Sequence, residues 1–194
     1  MMLSALIELP LLGALVLTLF PPGRAKLGAL LISGGTLLLA LRMFSQFDLS
    51  NSQFQMAESL PWLPAIGLNY DLGADGLSLL MVGLNALLSW IAIYSARPDI
   101  ERPRLFYGLM LITSGVIAGA FLSENYLLFF LFYEASLIPL YLLISIWGGE
   151  KRTYAATKFL IYTVLAFYGW EELRTLAMAL CPRQVYRFSC RFYC

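Results

Sequence analysis

The chain has 194 residues, of which 60% are apolar and 13% charged, with a formal net charge of +1 and a mean hydropathy of +0.75. A soluble domain keeps about a quarter of its residues charged, so a water-soluble globular protein is excluded. The absence of a basic stripe interleaved with aromatics excludes a nucleic-acid partner.

The charges fall in short clusters between long apolar runs, the pattern of membrane spans and loops. Roughly 17 to 25 apolar residues cross the hydrocarbon core as a helix. The first predicted span is Met2 to Phe20. It lacks the basic start and small-residue cleavage site of a secretory leader, and it contains Glu8 and Pro10. PPGRAK leads into a second span, Leu27 to Phe44. Ser45 to Gly73, with Pro61, Trp62, Pro64 and Tyr70, is too polar to span and reads as an outer-face connection capping the bundle with interfacial aromatics. Further spans follow at Ala74 to Ala96, Leu105 to Leu122, Tyr126 to Trp147 and Thr153 to about Tyr168, separated by RPDIERPR, SEN and GGEKR. The expected fold is an all-α integral membrane bundle of about six helices over residues 1–168, with an atypical tail at 169–194.

Alternate loops differ in charge. Arg24 and Lys26, then Arg97, Arg102 and Arg104, then Lys151 and Arg152 occupy one set. The other set carries Asp48, Glu58, Asp71 and Glu124 without Lys or Arg. By the positive-inside rule the basic loops are cytoplasmic and the amino terminus lies in a periplasm or lumen, with Arg42 the one exception.

Polar residues within the spans carry the functional signal. Glu134 lies eight residues after Tyr126, roughly 12 Å below the outer interface at 1.5 Å per residue. A carboxylate at that depth costs several kcal/mol unless it is paired, hydrated or protonated, which suits it to holding and releasing a proton. Pro139 has no amide hydrogen, so the Ala135 carbonyl lacks its helical partner and a kink is expected beside the carboxylate. The alternative reading makes Glu134 a hydrogen-bonding pin between helices or toward a partner protein. On the sixth span Tyr154, Lys158 and Tyr162 recur every four residues with Thr157 alongside, giving one polar face. Lys158 is read equally as a relay cation facing the interior or as an ammonium snorkelling to the headgroups. Asp75, Ser78, Asn85 and Ser89 fall roughly on one face of the third span, with Asp75 at its amino terminus. Gly115 and Gly119 form a GxxxG packing motif, and Glu8 is expected near the outer interface. No histidine is present, and Cys181, Cys190 and Cys194 lack close spacing, so no metal site and no bound redox cofactor is expected.

The run FLFYEASLIPLYLLISIWGGEKRTYAATKFLIYT, Phe130 to Thr163, resembles the antiporter-like proton-channel subunits of the NADH dehydrogenase-like complex, the complex I relatives, in their chain 4 or subunit M type. YDLGADGLSL, Tyr70 to Leu79, resembles the same family's entry to its third helix, and the similarity covers about Met1 to Thr163. The resemblance implies the amino-terminal part of a fourteen-helix proton-channel fold without a redox centre. Its partners would be the other membrane subunits of a large hetero-oligomer and lipid. Quinone or plastoquinone, iron-sulfur clusters and NAD(P)H or ferredoxin would belong to other subunits. The style of the sequence implies a cyanobacterial thylakoid or bacterial inner membrane. Glu134 matches the family's mid-membrane glutamate on its fifth helix, which in the family faces a lysine on the seventh helix. The shared ancestry also admits a multisubunit cation/proton antiporter or a non-pumping scaffold. The departure begins near Tyr168. The family continues for several hundred residues, the seventh-helix lysine is absent here, and WEELRTLAMALCPRQVYRFSCRFYC reads as the tail a frame-shifted or truncated copy would carry.

Overall fold

The computed structural model describes residues 2–47, 55–63, 68–97 and 100–180. Among the described residues six α-helices are formed: α1 (Met2–Leu17), α2 (Ala25–Gln46), α3 (Gly76–Ser95), α4 (Pro103–Leu122), α5 (Tyr126–Trp147) and α6 (Arg152–Leu180). Helices α2, α3, α4 and α5 are long and apolar enough to cross a membrane, and α1 is a shorter apolar helix. The expected helical membrane architecture therefore holds. It has one addition: within the polar outer segment, β1 (Gln55–Leu63) and β2 (Leu68–Ala74) pair as an antiparallel hairpin. Asp48 and Pro64 of that segment lie outside the described residues.

Local chemistry sets the helix ends. α1 stops at Leu17 because Thr18, Leu19 and Phe20 donate only to carbonyls three residues back, and two prolines follow. Asp75 caps α3 by accepting from the Ser78 amide at 2.6 Å, while the Ser78 hydroxyl accepts from the Asp75 amide at 2.9 Å. Asn125 accepts from Leu127 at 2.9 Å to open α5, and Gly148 closes it. α6 continues past Tyr168 to Leu180, beyond the expected end of the span. Glu171, Glu172, Leu173, Arg174, Leu176 and Ala177 are good helix formers, and nothing before Pro182 breaks the run.

α4 is the hub, packing against α1, α2, α3 and α5, while α6 rests chiefly on α5. Small residues let it approach its neighbours: Gly108, Ser114, Gly115, Ala118 and Gly119 are all buried. One apolar cluster, with Leu3, Leu6, Met43, Leu79, Val82, Leu122 and Leu128, fills the hairpin end. A second, with Leu17, Ala29, Ile93, Tyr107 and Leu111, fills the opposite end.

A two-stranded hairpin has little stability of its own, and this one is tied to the bundle at two places, the α4–α5 connection and the start of α1. The Glu124 amide donates to the Asp71 carbonyl at 3.0 Å, Leu72 bridges to Ser123, and the Glu58 carboxylate accepts from the amides of Leu3 at 3.1 Å and Ser4 at 3.3 Å. The described part of the 45–73 segment thus packs against one end of the bundle, through backbone pairing and a carboxylate.

The basic loops gather at the other end. Lys26 donates to the Ala96 carbonyl at 2.7 Å, joining the first basic loop to the second. The Trp147 indole donates to the Glu101 carbonyl at 2.9 Å, joining the end of α5 to the α3–α4 connection.

Candidate functional site

Glu134 stands on the ninth residue of α5, so the fold keeps it roughly 12 Å inside the helix from its amino-terminal end. Its Oε1 is buried, and among the described residues it has no hydrogen-bond partner. A buried polar atom without a partner is uncommon in a folded chain and marks the position as a candidate site. Five residues on, Pro139 is buried inside a helix assigned without interruption from Tyr126 to Trp147. Since Pro139 has no amide hydrogen, the Ala135 carbonyl one turn back is left without its helical donor. Ser136 satisfies its own hydroxyl on the Tyr133 carbonyl at 2.7 Å and does not reach out of the helix.

The outer half of α5 meets α6 through aromatic rings. Phe130 and Tyr133 lie 5.1 and 5.0 Å from Phe167, centroid to centroid. With the two helices antiparallel, this places the level of Glu134 near Thr163 to Ala166 and that of Lys158 near Pro139 to Leu142, a separation of roughly 8 to 12 Å along the axis. The structure therefore does not bring Lys158 to Glu134. Lys158 is exposed on the free face of α6, with its ammonium 5.6 Å from the Tyr154 ring and 5.4 Å from the Tyr162 ring. Two cation–π contacts fix it along the helix, and Thr157 and Ile161 complete the shallow groove it lines.

The polar residues of α3 separate into two roles. Asp75 and Ser78 make the capping box, whereas the Asn85 amide donates across to the Ser114 carbonyl at 2.9 Å, pinning α3 to α4. Gly115 and Gly119 sit at close approaches, as the GxxxG spacing implies: a Cβ would come 2.9 Å from Pro10 Cγ at the first and 2.8 Å from the Phe132 ring at the second.

At the hairpin end Glu8 is exposed and close enough to act on the Tyr70 hydroxyl, where the Ser4 hydroxyl also interacts. Burial pushes the Tyr70 phenol above its ordinary range, Glu8 adds to that rise, and Ser4 opposes it. The cluster of Ser4, Glu58 and Tyr70 escapes sequence reading, because its members lie 54 residues or more apart in the chain for Ser4 and Glu58. Among the described residues no three carboxylate, histidine or cysteine side chains gather as a metal site. The three cysteines lie outside the described residues.

Residues 123–169, which hold Glu134, Pro139, Tyr154, Lys158 and Tyr162, match the family model described as NADH:quinone oxidoreductase/Mrp antiporter, TM. The chain is 42% identical over 168 residues to NAD(P)H-quinone oxidoreductase chain 4 3 of Trichormus variabilis, covering 84% of this chain and 31% of that one. It is 39% identical over 187 residues to NAD(P)H-quinone oxidoreductase chain 4 of Gloeobacter violaceus, covering 91% and 36%. Among solved structures it matches a chain of respiratory complex I from Thermus thermophilus with bound NADH at a TM-score of 0.73 and 32% identity, covering 85% of this chain and 33% of that one. The chain spans about a third of the length of the curated relatives it matches.

Proposed function

We propose that this chain, a homologue of the antiporter-like membrane subunits of the NAD(P)H-quinone oxidoreductases, contributes a proton-carrying segment to such a complex. The observation that carries the reading is the buried Oε1 of Glu134, without a hydrogen-bond partner among the described residues, on the residue next to the Ala135 carbonyl that Pro139 leaves without its helical donor. An ionisable side chain inside a membrane span is costly there and marks an ion or proton path. The Ala135 carbonyl offers an acceptor on which a water can sit, since irregular backbone at membrane depth is tolerated where it lines a cavity. Lys158, held between Tyr154 and Tyr162, supplies the cation further along the path, with Pro139 at its level. In this reading the chain holds no redox centre. Quinone or plastoquinone, iron-sulfur clusters and NAD(P)H or ferredoxin belong to other subunits, and the other membrane subunits of the same complex are its partners.

The gathering of Arg24, Lys26, Arg97, Arg102, Arg104, Lys151 and Arg152 into loops at one end supports a cytoplasmic placement of that end, with the hairpin and amino terminus on the lumenal or periplasmic side. Cyanobacterial homologues support a thylakoid membrane. Residues 1–168 act as the membrane unit in this proposal, and 169–194 as an appended tail.

The test is Glu134→Gln in the native gene, with proton uptake measured in inverted vesicles energised through the quinone reductase. Loss of most uptake with the complex still assembled is expected, and undiminished uptake removes Glu134 from the mechanism. The family description also covers Mrp antiporters, which favours a second reading as a subunit of a multisubunit cation/proton antiporter. Co-purification separates the two: hydrophilic iron-sulfur subunits support the first, and sodium-dependent exchange with small membrane partners supports the second. Full flux with Glu134 and Lys158 both neutralised would make the chain a scaffold.

A further inference from the structure

At the basic end of the bundle an open pocket of about 710 Å³ lies between the end of α3, the α3–α4 connection, the start of α4 and the α5–α6 turn. Its composition changes with depth. Arg97 and Arg152 stand at its mouth, both exposed, and among the described residues neither forms an ion pair. The Arg152 guanidinium donates one hydrogen bond to the Ile146 carbonyl at 2.7 Å, leaving further N–H groups to be satisfied. Deeper in, the wall is apolar. Phe106 and Trp147 meet edge to face at 5.2 Å, and Met110, seven residues into α4, lies roughly 10 Å below the helix start.

Cations at the level where helices end, above an apolar wall descending into the hydrocarbon layer, match an amphiphile with an anionic head. Arg side chains provide forked donors for phosphate oxygens. Glu101 also lines the mouth, so among the described residues the pocket lining carries two positive groups against one negative. Its backbone carbonyl is engaged by Trp147, which holds the mouth in shape. A free inorganic anion would use only the arginines and leave the apolar wall uncovered.

We propose that this pocket seats one anionic phospholipid, with its phosphate between Arg97 and Arg152 and an acyl chain along Phe106, Met110 and Ile146. The lipid adds to the Trp147–Glu101 bond in tying the connection after α3 to the turn before α6. The site lies at the opposite end of α5 from Glu134 and is independent of the proton-path proposal.

Native mass spectrometry of the full chain, released from detergent with equal amounts of phosphatidylglycerol and phosphatidylcholine, tests the idea. One phosphatidylglycerol is expected to be retained at least about fivefold over phosphatidylcholine, the size set by one arginine near an anionic headgroup. Arg97→Gln with Arg152→Gln removes that preference. Arg102→Gln with Arg104→Gln, which changes basic residues outside the pocket, keeps it. Equal retention of the two lipids by the unaltered chain overturns the proposal, whether or not any variant folds. So does a preference that survives the first pair of changes, or displacement of the lipid by inorganic phosphate.

Discussion

The carboxylate of Glu58, on the outer hairpin, closes the start of α1 by accepting both the amide and the hydroxyl of Ser4. It also accepts from the Leu3 amide at 3.1 Å, so one side chain satisfies donors that a helix start leaves open. It places a negative charge at the positive end of the helix dipole. Glu58→Gln keeps an acceptor but loses the charge, and Glu58→Ala leaves both amides without a partner. Thermal unfolding in detergent is expected to rank the native chain above Glu58→Gln and that above Glu58→Ala, with the alanine change costing about 1 to 3 kcal/mol. Equal stability of all three would show that water caps α1 and that the hairpin is held by its backbone ties alone.

The glycines of α4 make a graded prediction. At Gly115 an added Cβ would meet Pro10 Cγ at 2.9 Å and the Ile7 carbonyl oxygen at 3.1 Å, a ring and a backbone atom that cannot turn aside. At Gly119 it would meet the Phe132 ring at 2.8 Å, which can move at the expense of its own packing. Gly83, on α3, has nothing within 4 Å of the same position. Gly115→Ala is therefore expected to destabilise most and Gly119→Ala less, within about 1 to 3 kcal/mol. Gly83→Ala should leave stability unchanged or raise it by up to about 1 kcal/mol, the helix preference of alanine over glycine. Denaturant unfolding of the three variants checks the order, and a cost at Gly83 matching that at Gly115 would sink the packing account.

The span Tyr126 to Trp147 is readable to the residue because Asn125 and Gly148 bracket a long, mainly apolar run. Asp75 announces the start of α3 through Ser78 three residues later. The hairpin is hidden, since Gln55 to Leu63 contains Glu58, Ser59 and Pro61 and pairs with a register shift near Met56, whose φ of 58° no pattern announces. The length of α6 was obscured by Glu171, Glu172 and Arg174, which argue against a span but not against a helix. Glu134 stands out by composition alone, as an acid within an apolar run. The position of Lys158 does not, because periodicity shows that Tyr154, Lys158 and Tyr162 share a face but cannot say what that face meets.

Tyr70 yields a pH dependence with a defined sign. Its phenol is raised above 10.0 chiefly by burial, with Glu8 adding to the rise and Ser4 lowering it. A group that holds its proton more tightly in the folded chain contributes stability that is fully present below its unfolded value, about 10. That contribution is lost as pH climbs through the higher folded value, because the unfolded chain ionises first. Docking of the hairpin is thus expected to weaken above pH 10, and Tyr70→Phe removes this part of the alkaline loss. Glu8→Gln shifts the ionisation of Tyr70 down, and Ser4→Ala shifts it up. The difference in tyrosinate absorbance between the native chain and Tyr70→Phe isolates this one phenol from the other tyrosines. A difference curve centred at or below the ordinary tyrosine value would mean that the phenol is solvated and that the hairpin does not shield it.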